Sequence, residues 1–171
     1  MSDPALVEAT PADLPAVVRL MNAAYRETPP GWASESSLLG GQRTDAVTLA
    51  EEIAAGTRLL LVRDGEAITA CVQLRPAGGE RWYLGGLTIA PDRQGRGLGN
   101  AVLRAAEGWV RTAGGTVVEM TVIAQRAGLI AWYARRGYVP TGEQRPFPYG
   151  DARFGLPRQD DLSFVVLAKR L

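Results

Sequence analysis

The chain has 171 residues, 46% of them hydrophobic and 22% charged, with 19 basic against 18 acidic side chains. That composition fits one folded globular domain spanning residues 1–171, long enough to bury its own core, and the near-neutral charge excludes a field that gathers nucleic acid or an anionic membrane. No histidine is present and Cys71 is the only cysteine, which excludes a Ser-His-Asp triad, histidine metal ligands, an internal disulfide and a Cys-x-x-Cys metal site.

The run Leu6-Val7-Glu8-Ala9 reads as a short strand. Thr10 then caps a helix, Pro11 sits at its first position, and Asp13 lies in the first turn. Leu14, Val17, Val18, Met21 and Tyr25 recur at helical spacing and give that helix one apolar face. Residues 27–44 read as a loop, with a short helical turn at Leu38-Leu39, and a second helix is predicted from Asp45 to Ala55, ended by Gly56. Leu59 to Val62 is an apolar strand, Asp64-Gly65 a hairpin turn, Ala67 to Leu74 the returning strand, and Trp82 to Ile89 a third. Tight turns join these three into an antiparallel meander. Cys71 falls in the apolar run Ile68-Thr69-Ala70-Cys71-Val72 with no histidine to activate it, and reads as a buried structural thiol.

After Pro91-Asp92 comes the glycine-rich stretch Gln94-Gly95-Arg96-Gly97-Leu98-Gly99, followed by a helix over Leu98 to Thr112. Small residues let a ligand approach the backbone closely. The free amides and the positive dipole end of the helix favour an anion, and Arg93 and Arg96 add positive charge. The same glycines are also what a structural turn into a helix requires. A Walker loop is absent. The spacing Gly-x-Gly-x-Gly after a meander does not fit the dinucleotide fingerprint, which opens a parallel βαβ unit. Thr116 to Ile123 is a further strand, Ala127 to Arg136 a helix closed by Gly137, residues 138–161 irregular, and Leu162 to Lys169 the last strand.

Taken together, Leu87-Thr88-Ile89-Ala90-Pro91-Asp92-Arg93-Gln94-Gly95-Arg96-Gly97-Leu98-Gly99-Asn100-Ala101-Val102-Leu103 resembles motif A of the GNAT acetyltransferase superfamily, with Gln94, Gly97 and Gly99 at its defining positions. Ile130-Ala131-Trp132-Tyr133-Ala134-Arg135-Arg136-Gly137-Tyr138 resembles the family's second signature, in the expected order. The resemblance implies an α+β (mixed α/β) fold with a mostly antiparallel, six- to seven-stranded sheet, splayed at the cofactor site and flanked by about four helices. It implies acetyl-CoA as cosubstrate and no metal. The pantetheine arm would pair with backbone of Leu87, Thr88 and Ile89, Gln94 would stand at the loop's start, and the pyrophosphate would rest on amides of Gly95, Arg96, Gly97, Leu98, Gly99 and Asn100.

By the same resemblance Tyr133 is the general acid. A phenol is protonated at neutral pH and can donate to a departing thiolate, although on periodicity alone Trp132 and Tyr133 suit core packing. Glu119, set among Val117, Val118 and Met120, is the first candidate for the base or else faces solvent; Glu35 and Glu80 are weaker candidates, and a water chain is the alternative. Two departures from the family stand out: Arg126 replaces the Asn often found seven residues before the Tyr, and Leu129 the Ala often found four before. The acceptor would meet Gly31 to Asp45, including Trp32, Glu35 and Arg43, and Arg145 to Tyr149. The expected activity is acetylation of a small-molecule amine by a monomer or homodimer. The rival reading is a non-catalytic acyl-CoA sensor. Met1-Ser2-Asp3-Pro4 lacks a leader's basic and apolar regions, and no apolar run reaches a membrane span, so a cytoplasmic location is expected.

Overall fold

A computed structural model describes residues 2–27 and 35–171. Nine strands occur among these residues: β1 (Val7–Glu8), β2 (Leu39–Gly40), β3 (Arg58–Asp64), β4 (Ala67–Pro76), β5 (Arg81–Ile89), β6 (Val117–Ile123), β7 (Val139–Pro146), β8 (Leu156–Pro157) and β9 (Ser163–Arg170). Four α-helices accompany them: α1 (Leu14–Arg26), α2 (Ala46–Ala54), α3 (Leu98–Thr112) and α4 (Ala127–Ala134). Seven strands form one sheet in the order β1-β3-β4-β5-β6-β9-β7, while β2 and β8 pair separately. Every pairing in the large sheet is antiparallel except β5 with β6. The architecture is the mixed α+β sheet the sequence leads one to expect.

Alternation within β3 shows how the sheet is sandwiched. Leu59 and Leu61 face α1 and α2, packing with Leu14, Val17, Met21, Leu49 and Cys71. Leu60 and Val62 face the other way, into the larger cluster with Val102, Ala106, Val110, Val118, Met120 and Tyr133. A period of two along the strand thus feeds two cores. Helix starts carry the chemistry their sequences promise: the Thr10 backbone amide donates to Asp13 Oδ2 at 2.8 Å, and Thr48 N donates to Asp45 Oδ1 at 2.7 Å.

Three sequence expectations are corrected. Val139–Pro146, read as irregular, forms β7, an edge strand on β9. Its residues are almost all exposed, and Pro140, Gly142 and Pro146 break the alternation by which a strand is recognised; only pairing with β9 makes it a strand. The Leu38-Leu39 turn leads instead into β2, which pairs with β8 through Leu39↔Pro157 and Gly40↔Leu156. The last helix ends at Ala134, short of Arg136.

A buried charge ties the α3 side to the sheet. Glu107 on α3 is 4% exposed; it accepts from Lys169 Nζ at 2.9 Å on both carboxylate oxygens and from the Tyr138 hydroxyl at 3.0 Å. Removing one partner of such a pair leaves the other charge desolvated and uncompensated. Lys169→Met is therefore expected to lower stability by about 2–3 kcal/mol, somewhat less than for a fully enclosed pair because Lys169 retains some solvent contact; urea unfolding followed by circular dichroism measures it.

Candidate active site

Strands β5 and β6 stay paired for only three positions, Arg81↔Val117, Trp82↔Val118 and Tyr83↔Glu119, and then part. The cause lies in β5. The β4–β5 register shifts between Cys71 and Gln73, and Gly86 takes φ +56°, a conformation that favours glycine. Gly85 is spared a side chain for a second reason: a Cβ there would lie 3.0 Å from Tyr83 Cε1. The Tyr83 ring can therefore lie over the glycine, and its hydroxyl bonds Thr121 Oγ1 on β6 at 2.7 Å, beyond the last paired position.

The open end of this fork is a cleft lined by Tyr25, Leu87, Ile89, Gln94, Gly99, Arg126, Leu129, Trp132 and Tyr133. Ala90 N donates to Thr69 O at 2.9 Å, so by antiparallel alternation the backbone groups of Thr88 also turn towards β4 and those of Leu87 and Ile89 towards the gap. Both gap-facing carbonyls are already engaged. The Tyr25 hydroxyl donates to Leu87 O at 2.7 Å, and Gln94 Nε2 donates to Ile89 O at 3.0 Å. Thr88, expected to offer its backbone to a ligand, is fully buried, with its hydroxyl on Gly86 O at 2.9 Å. It belongs to the β4 ladder.

Beyond Gln94 the chain turns through Gly95 (φ +76°) and Gly97 (φ +82°) into α3. Gly97 is the N-cap residue, and no side chain caps the helix, which leaves the first amides of a 15-residue helix to an outside acceptor. A Cβ on Gly95 would meet nothing within 4 Å, so the glycine is required there by its backbone angle. Arg96 is exposed and makes no ion pair among the described residues. Arg93, by contrast, is shared by Asp64 and Asp92. Arg136 stands beside the loop, its guanidinium 3.6 Å from the Trp132 ring centroid and its Nε 2.8 Å from Asn100 Oδ1.

Tyr133 reaches the cleft from α4. It is 6% exposed, packed edge-on against Trp132 and Tyr138, and its hydroxyl has no hydrogen-bond partner among the described residues. Burial holds its ionisation well above the ordinary phenol range, so it keeps its proton. Burial also pushes the Cys71 thiol up to about 11, and that sulfur lies under the sheet against Gly86 O, as an inert thiol.

The candidate bases lie elsewhere. Glu119 lies opposite Tyr83 at the last paired position of the fork, with its Oε2 2.9 Å from Arg81 Nη1; it is not among the residues that line the cleft. Glu80 accepts from Thr116 at 2.8 Å, outside the site. Glu35 is enclosed by two arginines, Arg26 at 2.6 Å and Arg126 at 3.4 Å. Among the acceptor-side candidates, Arg43 stacks on Tyr25 at 5.1 Å, Phe147 packs into a separate small core with Leu39, Ile123 and Leu162, and Trp32 lies outside the described residues. Sequence reading missed Tyr25 as a site residue: on the apolar face of α1 it looks like core, and only the tertiary contact with Leu87 shows its hydroxyl at work. Among the described residues no cluster of acids and cysteine is suited to a metal ion, and no helix is long and apolar enough to cross a membrane.

Residues 17–138, more than half of the chain, match the model of the acetyltransferase (GNAT) family. The chain belongs to that family. Solved structures share the GNAT fold at low identity. The ribosomal-protein-alanine N-acetyltransferase from Brucella melitensis is 18% identical with TM-score 0.70, covering 98% of this chain and 99% of its own. The yncA protein of Salmonella typhimurium, solved with its cofactor acetyl-CoA, is 19% identical with TM-score 0.68, covering 99% and 95%. A GNAT family acetyltransferase from Elizabethkingia anophelis with acetyl-CoA bound is 17% identical with TM-score 0.59, covering 72% and 82%. No curated protein matches the chain in sequence.

The left-handed Gly97 is a demanding position in this GNAT loop. Gly97→Ala is expected to cost about 1–2 kcal/mol of stability, the penalty for a side chain in that backbone region, measured by denaturant titration.

Proposed function

We propose that this GNAT protein moves an acetyl group from acetyl-CoA to the amine of a small molecule. The observation that carries the proposal is the coincidence, in one cleft, of an uncapped helix start behind Gly97 and a buried, protonated, unpartnered phenol at Tyr133. The first suits a pyrophosphate; the second suits a leaving group that needs a proton.

The residues fit the cofactor part by part. Amides of Gly95 to Asn100 would take the pyrophosphate, with Arg96 adding charge from the loop. The gap-facing amides of Leu87 and Ile89 would meet the pantetheine arm, and Gln94, bound to Ile89 O, fixes the strand's end against the loop. Bound acetyl-CoA supplies the thioester. Tyr25 holds the Leu87 carbonyl at the cleft's apolar wall, and Tyr133 holds a proton for the sulfur. In the transfer the amine nitrogen bonds to the acetyl carbon, the carbon–sulfur bond breaks, Tyr133 protonates the sulfur, the surplus amine proton passes to solvent, and solvent returns a proton to Tyr133.

Proton removal from the amine is assigned to water. The two acids first considered, Glu35 and Glu119, have their carboxylates engaged by arginines, and neither is among the residues that line the cleft. Glu119 then acts with Arg81 to steady the closed end of the fork.

Three measurements test this reading. Acetyl-CoA and CoA should raise the melting temperature where NAD and ATP do not, since only a ligand of the folded state stabilises it. Tyr133→Phe should lower kcat about 100-fold with little change in KM, and Glu119→Gln should lower kcat/KM less than about tenfold. Because burial raises the Tyr133 ionisation, its acid form persists as pH rises; the wild-type rate should show no alkaline loss from this group up to about pH 10, the ordinary phenol value. A Tyr133→Phe enzyme with unchanged turnover removes the acid assignment.

A further inference from the structure

We infer that the amine accepted by this protein carries a carboxylate a few bonds from its nitrogen, and that Arg126 binds that carboxylate. The inference rests on the acetyltransferase reading above and names its substrate class.

The argument begins with charge. Three arginines converge beside Tyr25: Arg26, Arg43 and Arg126. Arg26 and Arg126 share one carboxylate, Glu35, and Arg43 lies over the Tyr25 ring. The side chains of Arg26, Glu35 and Arg126 are 6%, 13% and 10% exposed, so water screens this group poorly, and one carboxylate offsets only one of its two cations. The neighbouring segment 28–34, Thr-Pro-Pro-Gly-Trp-Ala-Ser, contains no ionisable side chain and cannot supply the missing negative charge. Arg26 Nε is in addition buried with no hydrogen-bond partner. A buried surplus of positive charge is costly to maintain unless an anion answers it.

Position then selects the residue. Arg26 is turned to its own fold: a Cβ on Gly155 would lie 3.0 Å from Arg26 Nη2. Arg126, by contrast, lines the cleft together with Tyr133. It is the N-cap residue of α4 without a side-chain cap hydrogen bond, a place where the helix dipole opposes a cation. What the position does supply is a planar guanidinium seven residues from the acid, on the same wall of the cleft. Guanidinium binds carboxylate through two parallel hydrogen bonds and so fixes orientation as well as affinity. An acceptor held by its acid group at Arg126 would reach towards Tyr133 with its amine, which explains why the cation sits off the reaction centre: placed at the thioester it would repel an ammonium ion.

The test is a matched panel. Leucine, methionine, phenylalanine, glutamate and aspartate are each compared with their carboxamide and decarboxylated amine as acceptors, with CoA release as readout. The CoA-loaded protein is titrated calorimetrically with the corresponding N-acetyl acids and N-acetyl amides. The expected result is that at least one acid is preferred over its amide by about 100-fold in kcat/KM, that Arg126→Gln removes most of this preference through KM while changing the amide less than about threefold, and that Arg126→Lys restores part of it. Circular dichroism and CoA binding verify that each variant is folded. Equal use of acid, amide and amine overturns the inference, as does an Arg126→Gln loss that is uniform across the panel. If no amine is acetylated, the acetyl-transfer reading fails on that arm alone, and the titrations still decide this one: N-acetyl acids binding in an Arg126-dependent way uphold it, and absence of binding by any acid overturns it.

Discussion

Everything in this protein depends on β5 and β6 remaining hydrogen-bonded for three positions and then separating. Parallel strands normally continue side by side until a turn, because each abandoned pair leaves a backbone donor and acceptor to be satisfied. Here the separation is built in. The bulge at Gly86 bends β5, the glycine at 85 gives way to the Tyr83 ring, and side chains from outside the sheet take over the exposed carbonyls: Tyr25 from α1 on Leu87, Gln94 from the loop on Ile89. The β5 edge of the fork thus has its two gap-facing carbonyls occupied and the amides of Leu87 and Ile89 turned into the gap.

The absence of histidine shapes the chemistry that can follow. A protein without imidazole has no side chain whose ordinary ionisation lies near neutrality. The site answers with groups that do not titrate there: phenols raised by burial at Tyr25 and Tyr133, and guanidinium groups at Arg126 and Arg136. Such a site can donate a proton and hold an anion at constant charge. Among the described residues that line the cleft there is no carboxylate, and the proposed reaction accordingly lets the amine proton leave through water.

How much of this was legible beforehand follows from which forces were local. The meander, α1, α3 and the buried Cys71 rest on periodicity and turn chemistry, and each stands where its residues suggest. Motif A was legible because the φ angles at Gly95 and Gly97 demand glycine in sequence as in space. The edge strand β7 was not, because its pattern is set by pairing with β9 alone. Nor were the hydrogen bonds of Tyr25 and the ion pair of Glu119: the tyrosine occupies an apolar helix face and the glutamate an apolar strand, and in both cases the deciding partner, Leu87 or Arg81, is 62 or 38 residues away. Arg126 was visible as an anomaly, a cation where the family resemblance leads one to expect an amide, yet its meaning waited on the tertiary cluster with Glu35 and Arg26.

That cluster also links specificity to the fold. Arg26 ends α1, Glu35 follows residue 34 in sequence, Arg126 is the N-cap of α4, and Gly155 lies against Arg26 and the β2 residues Leu39 and Gly40. One carboxylate therefore joins the helix that satisfies the β5 carbonyl to the helix that carries Tyr133. Tyr25 and Arg26 are neighbours at the end of α1, so a single turn of helix carries both the hydroxyl that bonds Leu87 O and one of the two arginines on Glu35.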